Sequence, residues 1–396
     1  MIENTDAVES PGVDTTNERL SDGVNRCPKC GSSDIQLRVK TQMLICLFCR
    51  HEWAEESIEP TVTADVALDD LAGTVISSGA SDLGAGADLL TMKCQGCGAE
   101  VVVNTAESTS SRCHWCRHVL SVNEQVPNGA VPDAVLPFSV TRDEAVAHIK
   151  KFAGSRRTFA ERGFLKEFTP ENVVGVYMPY MVVDGRVTGE VHGVGEVETR
   201  QYTRKRGDDD EETLYDADVY RVERRVDFTV DDLTIESSSE RANADTRVNT
   251  NNVINTILPF DTKNAVKWNA NYLVGYTSER RDQDVEAMTP VLEDQLLSIT
   301  RSQVEKSLRR YDRGVRWEAE GVTVHGTRWG SMYLPVWLYS YRHETRGRTM
   351  VHYIAVNGRT GETMGSVPVS HGRLLLAALA AGTVLDGLVL AFLGAR

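Results

Sequence analysis

The sequence has little net positive charge and lacks the loop of a nucleotide-driven motor. Its formal net charge is -14 over 396 residues. Proteins that bind nucleic acid through phosphate contacts usually carry a basic face or stripe, so the overall charge argues against nucleic acid as the main partner. No Gly-x-x-x-x-Gly-Lys-Ser/Thr loop occurs in the sequence, which makes an ATP-driven helicase improbable.

The first residues lack the features of a secretory signal. The segment from Met1 to Asp22 is polar and acidic, without a basic n-region or an apolar h-region. We therefore expect no signal peptide and expect the cysteines to meet a reducing cytosol. Large apolar side chains are scarce in residues 1–24, so this part is predicted to be a disordered acidic tail.

A catalytic constellation is also missing from the sequence pattern. None of the candidate histidines lies in a recognisable motif with a nucleophile or a carboxylate, and core or surface positions are the default interpretation of lone histidines. We predict no catalytic residues and no enzyme. The histidines in question are His148, His192, His325, His343 and His352.

The eight cysteines form four Cys-x-x-Cys pairs in two matched modules. The first module reads Cys27-Pro-Lys-Cys30 and, after fifteen residues, Cys46-Leu-Phe-Cys49. The second reads Cys94-Gln-Gly-Cys97 and, after fifteen residues, Cys113-His-Trp-Cys116. In both modules a glycine follows the first pair and Arg-His follows the second. The matched spacing indicates two metal sites rather than a disulfide framework.

Each module offers four thiolates to one zinc ion. A tetrahedral zinc ion takes four donors at about 2.3 Å, and a Cys-x-x-Cys turn supplies two of them from one tight knuckle. We predict two zinc ions, one per module. Four protein ligands leave no position for water or substrate, so each zinc ion is expected to be structural. Redox-active dithiols are the alternative, although these normally occur singly in a thioredoxin-like setting.

Several residues beside the cysteines have an expected role. Gly31 and Gly98 directly follow the first knuckles, where a positive φ is expected. A fifth ligand would disturb a four-cysteine tetrahedron. His51, His114 and His118 are therefore predicted to be surface residues or to lie behind the ligands.

Charge and aromatic content decide how well the modules suit nucleic acid. Counting four thiolates and one zinc ion as about -2, the first module carries roughly +1 and the second roughly -1. Phe48, Trp53 and Trp115 could stack on single-stranded bases, but packing over a small hydrophobic core is the favoured interpretation. Nucleic-acid binding is therefore kept as the alternative function.

Composition predicts an α+β fold with six parts. Alternating apolar and polar residues indicate strands at Val173–Val183, Val187–Val197, Val219–Val230, Ser331–Tyr341 and Met350–Val356. The predicted parts are the tail at 1–24, zinc ribbons at 25–55 and 92–121, a linker at 56–91, a mixed β-rich domain at 133–370 and an anchor at 371–396.

Two helices and an internal repeat are predicted within the β-rich domain. Thr141-Arg-Asp-Glu144 is typical of a capping box that opens a helix. A second helix is predicted from about Thr289 to Arg310, with Pro290 in its first turn. Leu136-Pro-Phe resembles Leu258-Pro-Phe, and Tyr177-Met-Pro-Tyr resembles Tyr333-Leu-Pro-Val. These pairs suggest a two-fold repeat of similar halves.

The C-terminal segment has the length and hydropathy of a membrane span. Leu374 to Leu393 contains only one charged residue, Asp386, and twenty helical residues reach about 30 Å. We predict a single transmembrane helix that anchors the chain by its tail in the cytoplasmic membrane, with the ribbons and the α+β domain facing the cytosol. Small residues at Ala378 and Gly382 predict association with another helix. A C-terminal helix buried in a soluble core is the alternative.

The chain resembles bacterial membrane-anchored zinc-ribbon proteins of the transcription-factor-IIB ribbon type over roughly Cys94 to Arg396. The resemblance is carried by the paired knuckles, the Leu-Pro-Phe segments, Tyr333-Leu-Pro-Val-Trp337 and Val356-Asn-Gly-Arg-Thr-Gly361. Such proteins are often mislabelled as primosomal protein N′ or replication factor Y helicases. The resemblance implies a membrane-bound assembly, with flotillin-like or envelope-stress proteins as partners. The first module is an addition to the single-ribbon pattern.

These features together predict a non-enzymatic, membrane-anchored scaffold or adaptor. The zinc ribbons would bind protein partners, and the chain could form a homo-oligomer. The sequence names neither the partner nor a small ligand for the β-rich domain.

Overall fold

The structure is a computed structural model, and its strands and helices are numbered in chain order. The residues it describes are 26–58, 67–77, 79–80, 89–93, 100–104, 110–112, 119–121, 131–158, 160–161, 163–164, 168–205, 211–237, 257–279, 281, 283–345, 348–370 and 372–375. The strands are β1 (Ile35–Arg38), β2 (Met43–Cys46), β3 (Glu52–Trp53), β4 (Gly73–Ile76), β5 (Leu89–Lys93), β6 (Glu100–Asn104), β7 (Ser110–Arg112), β8 (Val119–Ser121), β9 (Ala134–Val135), β10 (Val173–Lys205), β11 (Glu211–Glu236), β12 (Val266–Lys267), β13 (Thr277–Ser278), β14 (Val315–Thr345), β15 (Arg348–Asn357) and β16 (Thr363–Gly365). The two long α-helices of the described part are α1 (Arg142–Ser155) and α2 (Val285–Glu305), and residues 163–164 and 372–375 are also helical.

A nine-stranded, largely antiparallel sheet dominates the described chain. Its main path is β11-β10-β14-β15-β16, and the short strands β4, β9, β12 and β13 join at its edges. The strands β10, β11 and β14 have 33, 26 and 31 residues. All five predicted strand segments lie inside these strands or β15. Two of them are portions of β10, and the other three are each part of a longer strand, so the described chain contains far more β-structure than expected.

The two Tyr-containing repeat motifs are direct neighbours at the centre of the sheet. Met178 of β10 pairs with Leu334 of β14, and Tyr177 and Pro179 pair with Pro335 and Tyr333. The antiparallel register therefore relates the two motifs by a local two-fold axis. This part of the sheet is buried on both faces, which explains the near-continuous apolar sequence there.

Helix α1 begins as its sequence predicts. The Thr141 side chain accepts a hydrogen bond from the Glu144 backbone N–H, and the Glu144 carboxylate accepts one from the Thr141 backbone N–H at 2.8 Å. Ala145, Ile149 and Phe152 are buried on the face that packs against the sheet. The predicted capping box is confirmed.

Helix α2 begins earlier than predicted. The Asp284 side chain accepts from the backbone N–H of Ala287 at 2.8 Å, so the helix starts at Val285 rather than near Thr289. Pro290 lies inside the helix, where it removes the hydrogen bond that its position would donate to the Glu286 carbonyl. The helix ends at Glu305 and continues only as a 3₁₀ turn.

The predictions of an α+β class and of a C-terminal transmembrane helix are corrected by this structure. The described fold is mainly β, with one large antiparallel sheet. No helix of the described residues is long and apolar enough to cross a membrane. The predicted single-pass location in the cytoplasmic membrane is therefore not supported. Residues 372–375 are helical, and residues 376–396 of the predicted anchor lie outside the described residues.

The predicted linker contributes to the large sheet. Strand β4 runs parallel to β14, with Thr74 paired to Thr327. Ser57 forms an isolated antiparallel bridge with Val266, and the Ile58 N–H donates to the Ala265 carbonyl at 2.8 Å. The described residues of 56–91 therefore tie the cysteine-containing region to the sheet.

Candidate metal centre

The four cysteines of the first module converge on one point. Their sulfur atoms all lie within 4.8 Å of one another. The Sγ atoms of Cys27 and Cys49 are 3.6 Å apart, as are those of Cys30 and Cys46. A regular tetrahedron with metal–sulfur bonds of about 2.3 Å has sulfur–sulfur edges of about 3.8 Å. The cluster can hold a metal ion, and its donor set and spacing fit zinc.

The two knuckles of this cluster have the same backbone geometry. The Gly31 N–H donates to the Cys27 carbonyl, and the Arg50 N–H donates to the Cys46 carbonyl, both at 2.9 Å. Gly31 has a φ of 74° as predicted. Arg50 takes the equivalent position with a φ of 61°, which a residue with a Cβ rarely adopts. The residue type does not predict this strained backbone, since arginine carries no preference for positive φ.

The polar environment of the sulfur atoms favours thiolates unequally. Burial raises the pKa of Cys46, but backbone hydrogen bonds from Cys49 and Phe48 outweigh it and lower this pKa to about 6. For Cys30, a backbone hydrogen bond involving Ser32 lowers the pKa, whereas burial and the other three cysteines raise it to about 12. The second value reflects four sulfur atoms that share one site. A cation at the centre would relieve this repulsion, because it stabilises all four thiolates.

The cluster is buried on one side and accessible on the other. Cys27 and Cys46 are buried, Cys49 is half-buried and Cys30 is exposed. Strands β1, β2 and β3 form the antiparallel sheet that carries these knuckles. Four cysteine ligands would complete the tetrahedral coordination of a zinc ion, which is the donor set of structural zinc sites.

The first ribbon packs directly on the large domain through apolar side chains. Ile35, Leu37 and Leu44 are buried in the same core cluster as Phe138 of the first Leu-Pro-Phe segment and Trp337 of β14. Burying such side chains contributes about 1.5–3 kcal/mol each. The metal centre and the sheet therefore share one hydrophobic core.

Polar contacts from the turn between β1 and β2 complete this docking. The Gln42 Nε2 donates to the Phe138 carbonyl at 2.7 Å, and the Gln42 Oε1 accepts from the Arg359 guanidinium at 2.6 Å. Lys40 forms an ion pair with Glu144 at the start of α1. These contacts fix the orientation of the ribbon on the domain.

Two aromatic residues of this module have different environments. Trp53 packs against the shared core and stacks on His51, with ring centroids 5.7 Å apart. Phe48, at the tip of the second knuckle, is 79% exposed, and its neighbour Leu47 is also exposed. The prediction that these aromatics pack over the core is therefore confirmed for Trp53 and wrong for Phe48. His51 is not part of the metal cluster.

The second cysteine module is described only in its flanking strands. Strands β5 and β6 form one antiparallel hairpin, and β7 and β8 form another. Cys94, Cys97, Cys113 and Cys116, with Gly98, His114, Trp115 and His118, lie outside the described residues. The second zinc ion therefore remains a prediction.

Two of the five candidate histidines, His192 and His352, have local partners. The Nδ1 of His192 lies 4.0 Å from a Glu223 carboxylate oxygen, and the Nδ1 of His352 lies 3.1 Å from the Ser366 hydroxyl. The five histidines are distributed over the fold: His148 in α1, His192 in β10, His325 and His343 in β14, and His352 in β15.

A row of three hydrogen-bonded polar side chains, Asp227, Thr188 and His325, was not predicted from the sequence. The Thr188 hydroxyl contacts both a carboxylate oxygen of Asp227 and the Nε2 of His325, the latter at 2.7 Å. Thr188 is only 3% exposed. The threonine stands between the acid and the imidazole, whereas a hydrolytic triad places the imidazole in the middle. The row therefore has the wrong order for nucleophilic catalysis.

A group of carboxylates has a structural explanation. Asp184, Asp231 and Asp232 lie close enough to share a cation. The Arg328 guanidinium, however, donates to Asp184 from Nε at 2.9 Å and from Nη2 at 2.7 Å. Asp184 also accepts from the Asp232 backbone N–H. The Arg328 guanidinium therefore compensates the charge of the buried Asp184 carboxylate, and the group needs no metal ion to do so.

Comparison with known proteins brings no function to the chain. It is 24% identical over 258 residues to YdjG, an uncharacterized protein of Bacillus subtilis strain 168, and the match covers 64% of this chain and 69% of that protein. No family model matches the chain. No solved structure matches it either. The metal centre must therefore be interpreted from its own chemistry.

Proposed function

We propose that this chain is a non-enzymatic, zinc-dependent scaffold or adaptor that binds a protein partner through its first ribbon. Cys27, Cys30, Cys46 and Cys49 would hold one structural zinc ion. The expected second ribbon would hold another at Cys94, Cys97, Cys113 and Cys116. In this proposal zinc positions the binding surface and performs no reaction, because four thiolates complete its coordination.

The exposed knuckle face is the observation that carries the proposal. Phe48 is exposed to solvent in a loop that begins and ends at the candidate metal ligands Cys46 and Cys49, and exposed Leu47 lies beside it. Large aromatic anchors of this kind contribute much of the affinity at protein interfaces. Lys29 occupies the equivalent place on the other knuckle, and Arg50 follows the second one. The face therefore suits a partner with an apolar pocket and an acidic rim.

Nucleic-acid binding is a second candidate, and the same aromatic residue favours it. An exposed ring beside basic side chains can stack on an unpaired base. The charges argue against it, since Arg38 is paired with Glu52 and Lys40 with Glu144. Two of the basic residues in this module are thus already neutralised by carboxylates.

Site-specific photo-crosslinking from position 48 tests the proposal. The full chain would carry a photoreactive residue in place of Phe48, and a matched control would carry it at Val219, which is 64% exposed on β11. We expect a discrete protein adduct from position 48 that is absent from position 219. The same adduct should disappear in a Cys46→Ser background, because the knuckle loses its metal ligand.

A parallel measurement separates the two candidates. Fluorescence anisotropy with single-stranded DNA and RNA oligonucleotides would be recorded at several salt concentrations. Salt-sensitive binding that Phe48→Ala abolishes, without a protein adduct, would favour the nucleic-acid candidate. A protein adduct without oligonucleotide binding would favour the adaptor.

A further inference from the structure

A polar cleft lies on the large sheet, away from the metal centre. It has a volume of about 440 Å³, within the range of about 300–1,000 Å³ typical of small-molecule sites. Its polar lining comes from four separate elements of the chain: Asp69 from a 3₁₀ turn, Arg186 and Thr188 from β10, Asp227 and Thr229 from β11, and His325 from β14.

Strand register explains why these side chains meet. Val187 is buried in the core cluster beneath α2, so alternation directs Arg186 and Thr188 to the opposite face of the sheet. Arg186 pairs with Thr229, and Thr188 pairs with Asp227 across the β10–β11 ladder. The cleft is therefore a polar patch on the sheet face that α2 leaves uncovered.

A β-bulge brings His325 to the same patch. The ladder between β10 and β14 shifts register after the pair of Arg186 with Gly326, and Val187 then pairs with Val324. His325 is the additional residue, and its Nε2 reaches the Thr188 hydroxyl. Bulges often redirect a side chain beside a functional site. His325 is the residue of β14 that the register shift leaves without a partner in the β10–β14 ladder, and this places its imidazole beside Thr188.

The hydrogen-bond row determines which groups remain for a ligand. A hydroxyl has one hydrogen and an ionised carboxylate only accepts, so Thr188 donates to Asp227 and accepts from the Nε2–H of His325. In the neutral imidazole this bond selects the Nε2–H tautomer, whose Nδ1 is an acceptor. The Arg186 Nε donates to the Leu71 carbonyl at 3.1 Å. This bond orients the guanidinium and holds the 3₁₀ turn over the cleft.

The charges around the cleft have mixed sign. Arg186 supplies one fixed positive charge, and Asp69 and Asp227 supply two carboxylates. The Asp227 carboxylate also lies 3.9 Å from the guanidinium of Arg225, which does not line the cleft. A simple anion would be attracted by Arg186 but repelled by the carboxylates. A simple cation would be attracted by the carboxylates but repelled by Arg186. A small molecule with both charges satisfies both groups. An α-amino acid carries a carboxylate for bidentate contact with a guanidinium and an ammonium group for the carboxylates.

We propose that this cleft is a binding site for a free α-amino acid in its zwitterionic form. The ligand carboxylate contacts Arg186, and its ammonium group lies toward Asp227 and Asp69. Thr188 and His325 are positioning residues: the row fixes the carboxylate of Asp227 and presents one imidazole acceptor. No residue of the first ribbon lines this site.

Calorimetric titration of the full-length protein with the individual proteinogenic L-amino acids tests this site. For each amino acid that binds, the corresponding amine without a carboxylate and the carboxylic acid without an amine serve as matched ligands. We expect at least one amino acid to bind and both matched ligands to bind at least tenfold more weakly. No binding by any amino acid, or equal binding by either matched ligand, would overturn the proposal.

Variants locate the binding to this cleft. Arg186→Gln and Asp227→Asn should each weaken binding at least tenfold. Arg221→Gln is the control, because Arg221 is exposed on the same strand as Asp227 and does not line the cleft. Arg186→Gln also removes the hydrogen bond that holds the Leu71 turn, so weaker binding in that variant has two explanations. Asp227→Asn leaves this hydrogen bond in place and therefore tests the ligand contact by itself. Unchanged affinity in Asp227→Asn would show that the ligand binds elsewhere.

Discussion

The guanidinium of Arg359 donates from Nη1 to the Gln42 side-chain oxygen at 2.6 Å, although the two residues are 317 positions apart in the chain. Gln42 belongs to the turn of the first ribbon, and Arg359 belongs to the turn between β15 and β16. The same Arg359 nitrogen also lies 3.2 Å from the Pro137 carbonyl. This contact joins the first cysteine module to the domain through a nearly buried charge.

Loss of this contact should loosen the ribbon. Gln42→Ala removes the acceptor and leaves the Arg359 guanidinium, whose side chain is 9% exposed, with one fewer partner. We expect a loss of about 1–3 kcal/mol in the free energy of unfolding, measured by urea denaturation. Arg38→Ala breaks an exposed pair with Glu52 in the same module and should cost at most about 1 kcal/mol. Equal losses in both variants would contradict a specific role for Gln42.

The two knuckles allow a paired test of backbone strain. Gly31 and Arg50 both have positive φ, and an added Cβ at Gly31 would meet no atom within 4 Å. Gly31→Ala should therefore destabilise the module by about 1–2 kcal/mol through backbone strain alone. Arg50→Gly should stabilise it by up to about 1 kcal/mol, since relief of strain exceeds the added freedom of the unfolded chain.

Thermal unfolding of the metal-loaded protein measures both changes. The two substitutions are expected to shift the melting temperature in opposite directions. A lower melting temperature in both would show that the Arg50 side chain stabilises the ribbon more than its backbone strain destabilises it.

The aromatic residues of the first ribbon should differ in their contribution to stability. Phe48→Ala removes a ring that is 79% exposed, so the free energy of unfolding should change by less than about 0.5 kcal/mol. Trp53→Ala removes a ring from the edge of the shared core and should cost on the order of 1–3 kcal/mol. Circular dichroism during chemical denaturation gives both values. A large loss in Phe48→Ala would mean that its ring packs on the protein in solution.

Lys40 should control the ionisation of Glu144 at the start of α1. The side-chain hydrogen bond from Lys40 and the bonds from Thr141 lower the pKa of Glu144 to about 2. A lowered carboxyl pKa adds stability above the unfolded value near 4.5, and this stability is lost as the pH falls toward 2. In Lys40→Met, NMR titration should give a higher Glu144 pKa that stays below the unfolded value, because the capping box remains. An unchanged pKa would contradict the Lys40 contact.

The sequence was sufficient to predict those structural features that depend on residues close together in the chain. The Thr141 capping box, the apolar stripe of α1 and the positive φ of Gly31 each depend on a few neighbouring residues. The convergence of the first four cysteines followed from their spacing. Helix α2 was misplaced because Pro290 was taken as a first-turn residue, although the Asp284 cap lies six positions earlier.

Long-range features could not be read from the sequence in the same way. The predicted strands Val173–Val183 and Val187–Val197 are one strand, β10, because Asp184 and Gly185 continue the strand through a register shift instead of forming the turn that their residue types suggest. The bulge at His325 depends on the register of another strand. Hydropathy marked Leu374 to Leu393 as a span, but it measures composition and cannot show that a segment forms a helix or meets lipid.

Zinc coordination by the first module is the central claim, and X-ray absorption combined with elemental analysis tests it most directly. The full chain would carry serine in place of Cys94, Cys97, Cys113 and Cys116, so that only the described cluster remains. We expect about one zinc ion per chain with four sulfur ligands at about 2.3 Å, and loss of that zinc after Cys46→Ser. A metal-free protein, or zinc bound through oxygen or nitrogen and unaffected by Cys46→Ser, would contradict the account.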